Sequence, residues 1–253
     1  MKERLFKFKQ FSVSHSQSAM KVGVDGVLVG AWATCEGERI LDAGCGCGLI
    51  ALMIAQRNPD CLVEGIDIDK PSVVEASHNV ECSPWSERVK IKEMPFDSIT
   101  GLNDTERYDL IVSNPPFFDS GVTEPLTPRE RSRHQGSLSP RALVTSARNL
   151  LTEKGRLALI APAVMMEPLK DLAEKNGLLT SRICYVRDNE GVGVKRVMME
   201  FRRGDDCENY SCSVSAERDI DNIPAVSCLT LFQKSGEPTP EYRTLCSDFY
   251  LKF

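Results

Sequence analysis

Apolar residues run along this chain in short blocks, separated by segments whose apolar positions recur every three or four residues. Arg39–Ala43, Leu62–Asp67, Val89–Lys92, Tyr108–Ser113 and Gly155–Ile160 have the length and burial pattern of strands. Between and after them the helical period predicts Leu49–Gln56, Pro71–Cys82, Ser139–Leu151 and Ala163–Asn176, with Pro71 in a first turn, where proline is tolerated. Strand-like segments follow near 180–187, 194–202 and 226–233, then a helix near 240–249. Ahead of the first strand, Phe6, Phe8, Phe11 and Val13 alternate loosely, which predicts a strand or hairpin over 5–14. Residues 25–35 predict a short helix with Asp25 as N-cap. Strands alternating with helices imply a mostly parallel sheet covered on both faces, and the adjacent late strands predict an antiparallel pair at one edge. The longest irregular stretch is 117–138, and a loop of that length in a compact domain is usually functional.

Composition supports a globular chain. With 253 residues and 42% hydrophobic content there is material for one large α/β domain or two small ones. The net charge of −5 argues against wholesale coating of nucleic acid, though it permits local basic patches. No apolar run approaches the roughly 20 residues of a membrane span, and the opening residues lack a signal-peptide core. A cytoplasmic protein without membrane contact is expected. The ten cysteines are scattered and are read as reduced and mostly buried. Cys45 and Cys47 have no matching second pair, and His15, His78 and His134 share no ligand spacing, so no metal site is expected.

Two stretches carry chemistry. In Asp42-Ala43-Gly44-Cys45-Gly46-Cys47-Gly48 a strand runs through a glycine turn into a helix. Glycines at 44, 46 and 48 permit close approach of a ligand. The spacing is not that of a dinucleotide binder, and Asp42 would repel a pyrophosphate but attract an ammonium group. Asp67 ends the next strand, where an acid accepts the ribose hydroxyls of an adenosine-containing ligand, with Asp69 as competitor. Together these resemble the cofactor motifs of the class I S-adenosylmethionine-dependent methyltransferases. The resemblance implies a Rossmann-like fold, S-adenosylmethionine as cofactor and S-adenosylhomocysteine as product. It places Gly44, Gly46 and Gly48 by the amino-acid half, Asp42 at its ammonium, and Asp67 with Ile68 at the adenosine half. Where that superfamily has a further acid near the adenine, this chain has Pro95, leaving Asp97 as the candidate.

The second stretch is Ser113-Asn114-Pro115-Pro116-Phe117-Phe118, at the end of the fourth strand. The prolines stiffen the turn and leave the Pro115 carbonyl free. Asn114 adds a side-chain acceptor. Two acceptors can hold both hydrogens of an exocyclic amino group and aim its lone pair at a sulfonium methyl. Phe117 can stack on an extruded base. The segment resembles the Asn-Pro-Pro-aromatic motif of methyltransferases acting on adenine N6, guanine N2 or a glutamine amide, which assigns Asn114, Pro115, Pro116 and Phe117 to catalysis.

Further segments narrow the resemblance: Phe11-Ser12-Val13-Ser14-His15-Ser16, Ser18 through Trp32, Ser83-Pro84-Trp85 and Asp248-Phe249-Tyr250-Leu251. With the two motifs they closely resemble the bacterial tRNA(Val) adenine-37 N6-methyltransferase family, from residue 6 to residue 251. That resemblance implies one catalytic domain over 1–253, with 1–38 an extension on the cofactor side and 39–253 the core. It implies a mostly parallel seven-stranded sheet with helices on both faces and an antiparallel edge strand. Lys21, Gly23 and Asp25 would lie by the cofactor, with Val24 where the family usually has threonine. The partner would be tRNA, for which Arg129, Arg131, Arg133 and His134 in the long loop, and Lys7 and Lys9 near the start, are the candidate contacts. A monomer is the expectation, the sequence itself leaving oligomeric state open. Guanine-N2 methylation of ribosomal RNA, glutamine-N5 methylation of protein, and RNA binding on a degenerate cofactor fold remain as alternatives.

Overall fold

The computed structural model describes residues 5–18, 21–116, 138–204 and 224–253. A two-stranded antiparallel hairpin, β1 (Leu5–Lys7) and β2 (Ser12–Ser14), leads to helix α1 (Val24–Trp32). Then follow β3 (Arg39–Ala43), α2 (Leu49–Arg57), β4 (Leu62–Asp67), α3 (Lys70–Glu81), β5 (Val89–Glu93) and β6 (Tyr108–Ser113). The remaining elements are α4 (Pro140–Leu150), β7 (Leu151–Pro162), α5 (Met166–Lys175), β8 (Leu178–Asn189), β9 (Arg196–Arg203), β10 (Ala225–Phe232) and α6 (Pro240–Cys246).

Three helices start from the same local chemistry. Asp69, Ser139 and Thr239 each accept the backbone N–H three residues on, and a proline follows in the first turn, where no N–H partner is needed. α1 starts differently from the expectation. Gly23 is its N-cap, no side chain caps it, and Asp25 lies inside the first turn.

Among the described residues one sheet holds eight strands in the order β10-β8-β9-β7-β6-β3-β4-β5. That is one more than the seven implied by the resemblance, the addition being β10, which pairs in parallel with β8 at the edge. The antiparallel strand is also not at the edge. β9 lies between β7 and β8 and runs against both. A short connection after β8 forces the chain back, and the buried Phe201, Met199 and Val197 of β9 fill the gap beside β7.

Alternation along each strand sends neighbours to opposite faces. Ile40 joins a core formed with α1, α2 and α6; Leu41 joins one formed with α4 and α5. Helices therefore cover both faces, as expected, and the C-terminal ends of β3, β4 and β6 open side by side at one edge. No helix among the described residues is long and apolar enough to cross a membrane.

Candidate active site

The glycine turn leaves β3 with Gly44, Gly46 and Gly48 all at positive φ, between 54° and 80°. Gly44 and Cys45 donate their backbone N–H groups to the Ile66 carbonyl, and Gly48 donates to Cys45, which ties the turn to β4. The glycines face different surroundings. A Cβ on Gly48 would press on Ala76 at 3.3 Å, and one on Gly44 on Leu138 at 3.3 Å. At Gly46 nothing among the described residues lies within 4 Å, so the turn presents bare backbone on that side.

Two carboxylates flank this turn. Asp42 is fully buried; its Oδ2 accepts the Ala51 N–H at 2.9 Å, while Oδ1 is buried without a hydrogen-bond partner. Burial pushes its carboxyl up to about 7, the Ala51 bond pulls the other way, and the charge on Asp67 adds to the rise. Asp67 is half-buried. Its Oδ2 accepts Gly46 N–H and its Oδ1 accepts Asp69 N–H, both at 2.9 Å. Burial raises its carboxyl too, against those backbone bonds. Each oxygen retains a lone pair for a further donor. Asp69 is engaged elsewhere, accepting from Ser72 N and Oγ as the cap of α3. Ile68 beside them is 42% exposed.

Across the sheet, β6 delivers Asn114, Pro115 and Pro116 to the same edge. Ser113 Oγ donates to the Ala43 carbonyl at 2.6 Å, locking the end of β6 to the start of the glycine turn. Asn114 Oδ1 is buried and has no hydrogen-bond partner among the described residues. α1 passes directly by: a Cβ on Gly26 would lie 3.3 Å from Leu49 and 3.8 Å from Asn114 Nδ2. Asp25, one residue earlier, pairs with Arg196 at 3.2 Å, and Arg196 also holds Asp188. Burial raises the Asp25 carboxyl despite the guanidinium.

The structure therefore gathers Asp42, the three glycines, Asp67, Asn114, Pro115 and Pro116, with Gly23 and Asp25 at the start of α1 alongside. Other predicted residues are engaged in the fold. Lys21 Nζ donates to the carbonyls of His15, Ser16 and Ser18. Lys9 Nζ donates to those of Ser247 and Phe253. Lys7 is exposed on the hairpin, and Asp97 is exposed in a 3-10 turn after β5. Phe117, Arg129, Arg131, Arg133 and His134 lie outside the described residues. Among the described residues the cysteines are free, Cys82 and Cys228 being exposed, and no three metal-ligating side chains cluster. Arg196, Glu75 and Asn79 were not singled out by motif; the last two show only as polar positions four apart on one face of a helix.

Residues 16–175 match the Methyltransferase small domain family. A tRNA1(Val) (adenine(37)-N6)-methyltransferase of Yersinia enterocolitica is 38% identical over 250 residues, covering 98% of this chain and 93% of the relative. The protein of the same description in Yersinia pestis is 37% identical, covering 98% and 94%. The chain belongs to this methyltransferase family. Solved structures agree in fold. A predicted O-methyltransferase from Agrobacterium tumefaciens superposes with a TM-score of 0.63 at 17% identity, covering 89% of this chain and 96% of that one. A Thermus thermophilus 16S rRNA N2 methyltransferase in complex with AdoMet and guanosine gives 0.52 at 21%, covering 80% and 50%. Members of the family are S-adenosylmethionine-dependent methyltransferases. The residues present fit that cofactor: an orphaned buried carboxylate oxygen on Asp42 suits its ammonium, and the bare backbone side of Gly46 leaves room for it.

Proposed function

We propose that this chain methylates the exocyclic N6 of an adenosine in tRNA, the nucleoside being adenosine 37 of a valine tRNA as in the relatives' description. The observation that carries the chemistry is Asn114 Oδ1: a buried acceptor without a partner among the described residues, just before two prolines and beside the glycine turn. Leaving such an acceptor unpaired costs on the order of 1–3 kcal/mol, which a bound amino group would recover.

Asn114 Oδ1 and the Pro115 carbonyl accept the two N6 hydrogens and so fix the plane of the amine. Phe117 stacks on the extruded adenine. Asp42 holds the cofactor's ammonium, Asp67 its ribose hydroxyls, and Ile68 offers an apolar surface to its purine. When bound, S-adenosylmethionine supplies a methyl group on a positively charged sulfur. The amine lone pair takes that methyl, the sulfur keeps the bonding pair, and the amine's surplus proton leaves to water past the acceptors. No strong base is required, since the leaving group already carries the charge. Arg129, Arg131, Arg133 and His134, together with Lys7, contact RNA phosphates.

The protein is read as a cytoplasmic monomer of one domain, with 1–38 on the cofactor side, using neither metal nor membrane. Labelled S-adenosylmethionine with unmodified bulk tRNA tests the proposal. Label recovered as N6-methyladenosine supports it. Label in guanosine, or none in RNA while the cofactor binds, transfers the assignment to a guanine-N2 or glutamine-N5 substrate.

A further inference from the structure

A second polar cluster lies beside the glycine turn, and none of the chemistry above uses it. Glu75, on the inner face of α3, is only 6% exposed. Its Oε1 accepts the backbone N–H of Ser16 at 2.6 Å and of Gln17 at 3.0 Å, and the Ser14 hydroxyl at 3.3 Å. Its Oε2 accepts the Ser18 N–H at 2.7 Å. Burial alone would raise this carboxyl, but the N–H groups of Gln17, Ser18 and Ser16 outweigh it and hold it below the usual range. One turn on, Asn79 is 2% exposed. Its Oδ1 accepts Ser14 N–H at 2.8 Å, and its Nδ2 donates to Ser14 O at 2.8 Å and to Cys47 O at 2.9 Å.

Residues 14–18 thus form a strap that continues from the end of β2. Glu75 accepts the N–H groups of Ser16, Gln17 and Ser18, and Lys21 collects the carbonyls of His15, Ser16 and Ser18. A buried carboxylate meeting several donors is a rigid anchor, because every alternative leaves a charge or an amide unpaired. Many folds carry such an anchor for stability alone. Here one bond departs from that role. Cys47 lies inside the glycine turn, so Asn79 holds the strap and the turn with the same amide group. Ala76, on the same face of α3, also packs where Gly48 needs its missing side chain.

We propose that Glu75 and Asn79 are positioning residues for the cofactor cleft, fixing the strap 14–18 against the Gly44–Gly48 turn and so setting the opening that receives the cofactor. The inference rests on the cofactor assignment above. Asn79→Asp preserves shape and the acceptor for Ser14 N–H, but removes both donors and turns an oxygen toward two carbonyls. Glu75→Gln preserves shape and turns an N–H toward backbone donors.

Calorimetry with S-adenosylmethionine on the RNA-free chain reads the effect directly. Each variant is expected to raise the cofactor Kd about tenfold, while the KM for tRNA stays within about twofold and the variant retains a cooperative thermal melt. Glu75→Asp, which keeps the charge, is expected to recover part of the loss. Variants that bind the cofactor as the parent does would overturn the inference and leave the methyltransferase assignment standing. Equal losses in cofactor and RNA affinity would also overturn it, by showing general damage. A parent chain that takes no S-adenosylmethionine removes both. The two variants are independent, so one that fails to fold leaves the other to decide.

Discussion

The Gly46 backbone N–H donates to Asp67 Oδ2 at 2.9 Å, so the acid ending β4 grips the middle glycine of the turn that follows β3. One carboxylate therefore shapes the turn while remaining partly exposed. Asp67→Ala should weaken S-adenosylmethionine binding by roughly ten- to a hundredfold, the range of a lost hydrogen bond to a charged group. Asp69→Ala should leave that affinity within about threefold while lowering stability by about 1 kcal/mol, through loss of the α3 cap. Calorimetry and thermal melts on the pair separate the two roles.

Cofactor affinity should depend on pH through Asp42. Its carboxyl stands at about 7 in the folded chain against an ordinary 3.8. A raised acid contributes stability that is fully present below the unfolded value and is lost as pH rises through the folded one. The free protein should therefore lose stability between about pH 4 and 7, and Asp42→Asn should melt higher than the parent at pH 8. Binding runs the other way. The cofactor's ammonium favours ionised Asp42, so affinity should climb with pH and level off above about 7. In Asp42→Asn the climb should vanish and the affinity stay low.

Asn114→Ala should separate chemistry from binding. Transfer should fall by about two to three orders of magnitude, as for a lost transition-state hydrogen-bonding partner. Cofactor affinity should not change. Stability should not fall, because the oxygen removed is a buried acceptor without a partner among the described residues. Single-turnover assays beside calorimetry and melts provide the check.

A different part of the fold answers to Glu200, which is fully buried on β9. It meets Arg156 and Arg182, both at 3.2 Å, and the N–H and hydroxyl of Thr34 at 3.0 Å. Arg182 also lies over the Trp32 ring, 4.2 Å from its centroid. Glu200→Ala should cost about 3 kcal/mol, the lower end for a broken buried pair, since both guanidinium groups still reach water. Denaturant melts test this, with cofactor affinity in the folded variant expected to stay near the parent's.

The basic segment 129–133 makes a prediction through salt. Replacing Arg129, Arg131 and Arg133 with glutamine should weaken tRNA binding and flatten the slope of log affinity against log salt by about 0.7–0.9 per lost phosphate contact. An unchanged slope would place these residues off the RNA.

The site was legible where one short segment carries its own chemistry. Asp42 through Gly48, Asp67 and Asn114 through Pro116 each occupy a strand end, and parallel strands bring such ends to one edge. The strands themselves were legible from their apolar runs. Their order was not, because β7, β8 and β9 each carry an apolar stretch and only the pairing of β9 with both β7 and β8 puts it inside. Asp25 looked like a cap because aspartate commonly caps helices; a distant arginine, Arg196, holds it in the first turn instead. Lys9 was suggested as a contact by its charge and Lys21 by the resemblance; neither signal reveals that each amino group rests on backbone carbonyls. Glu75 and Asn79 offered no motif, since their partners come from a different part of the chain.

Lys9 Nζ reaches Ser247 and Phe253, its N–H reaches Phe249, and Phe8 bridges Tyr250 within one aromatic cluster. The Phe6 and Phe8 side of the hairpin thus gains cover from residues near 250, while Phe11 packs on Trp85 and Ser14 on Asn79. During synthesis that side must wait for the segment near 250 to emerge. Such far-apart contacts close slowly, because the intervening loop entropy is lost before the rings can stack. Ribosome-bound fragments that stop short of α6 should therefore hold their central sheet while Phe6 and Phe8 stay accessible to chaperones.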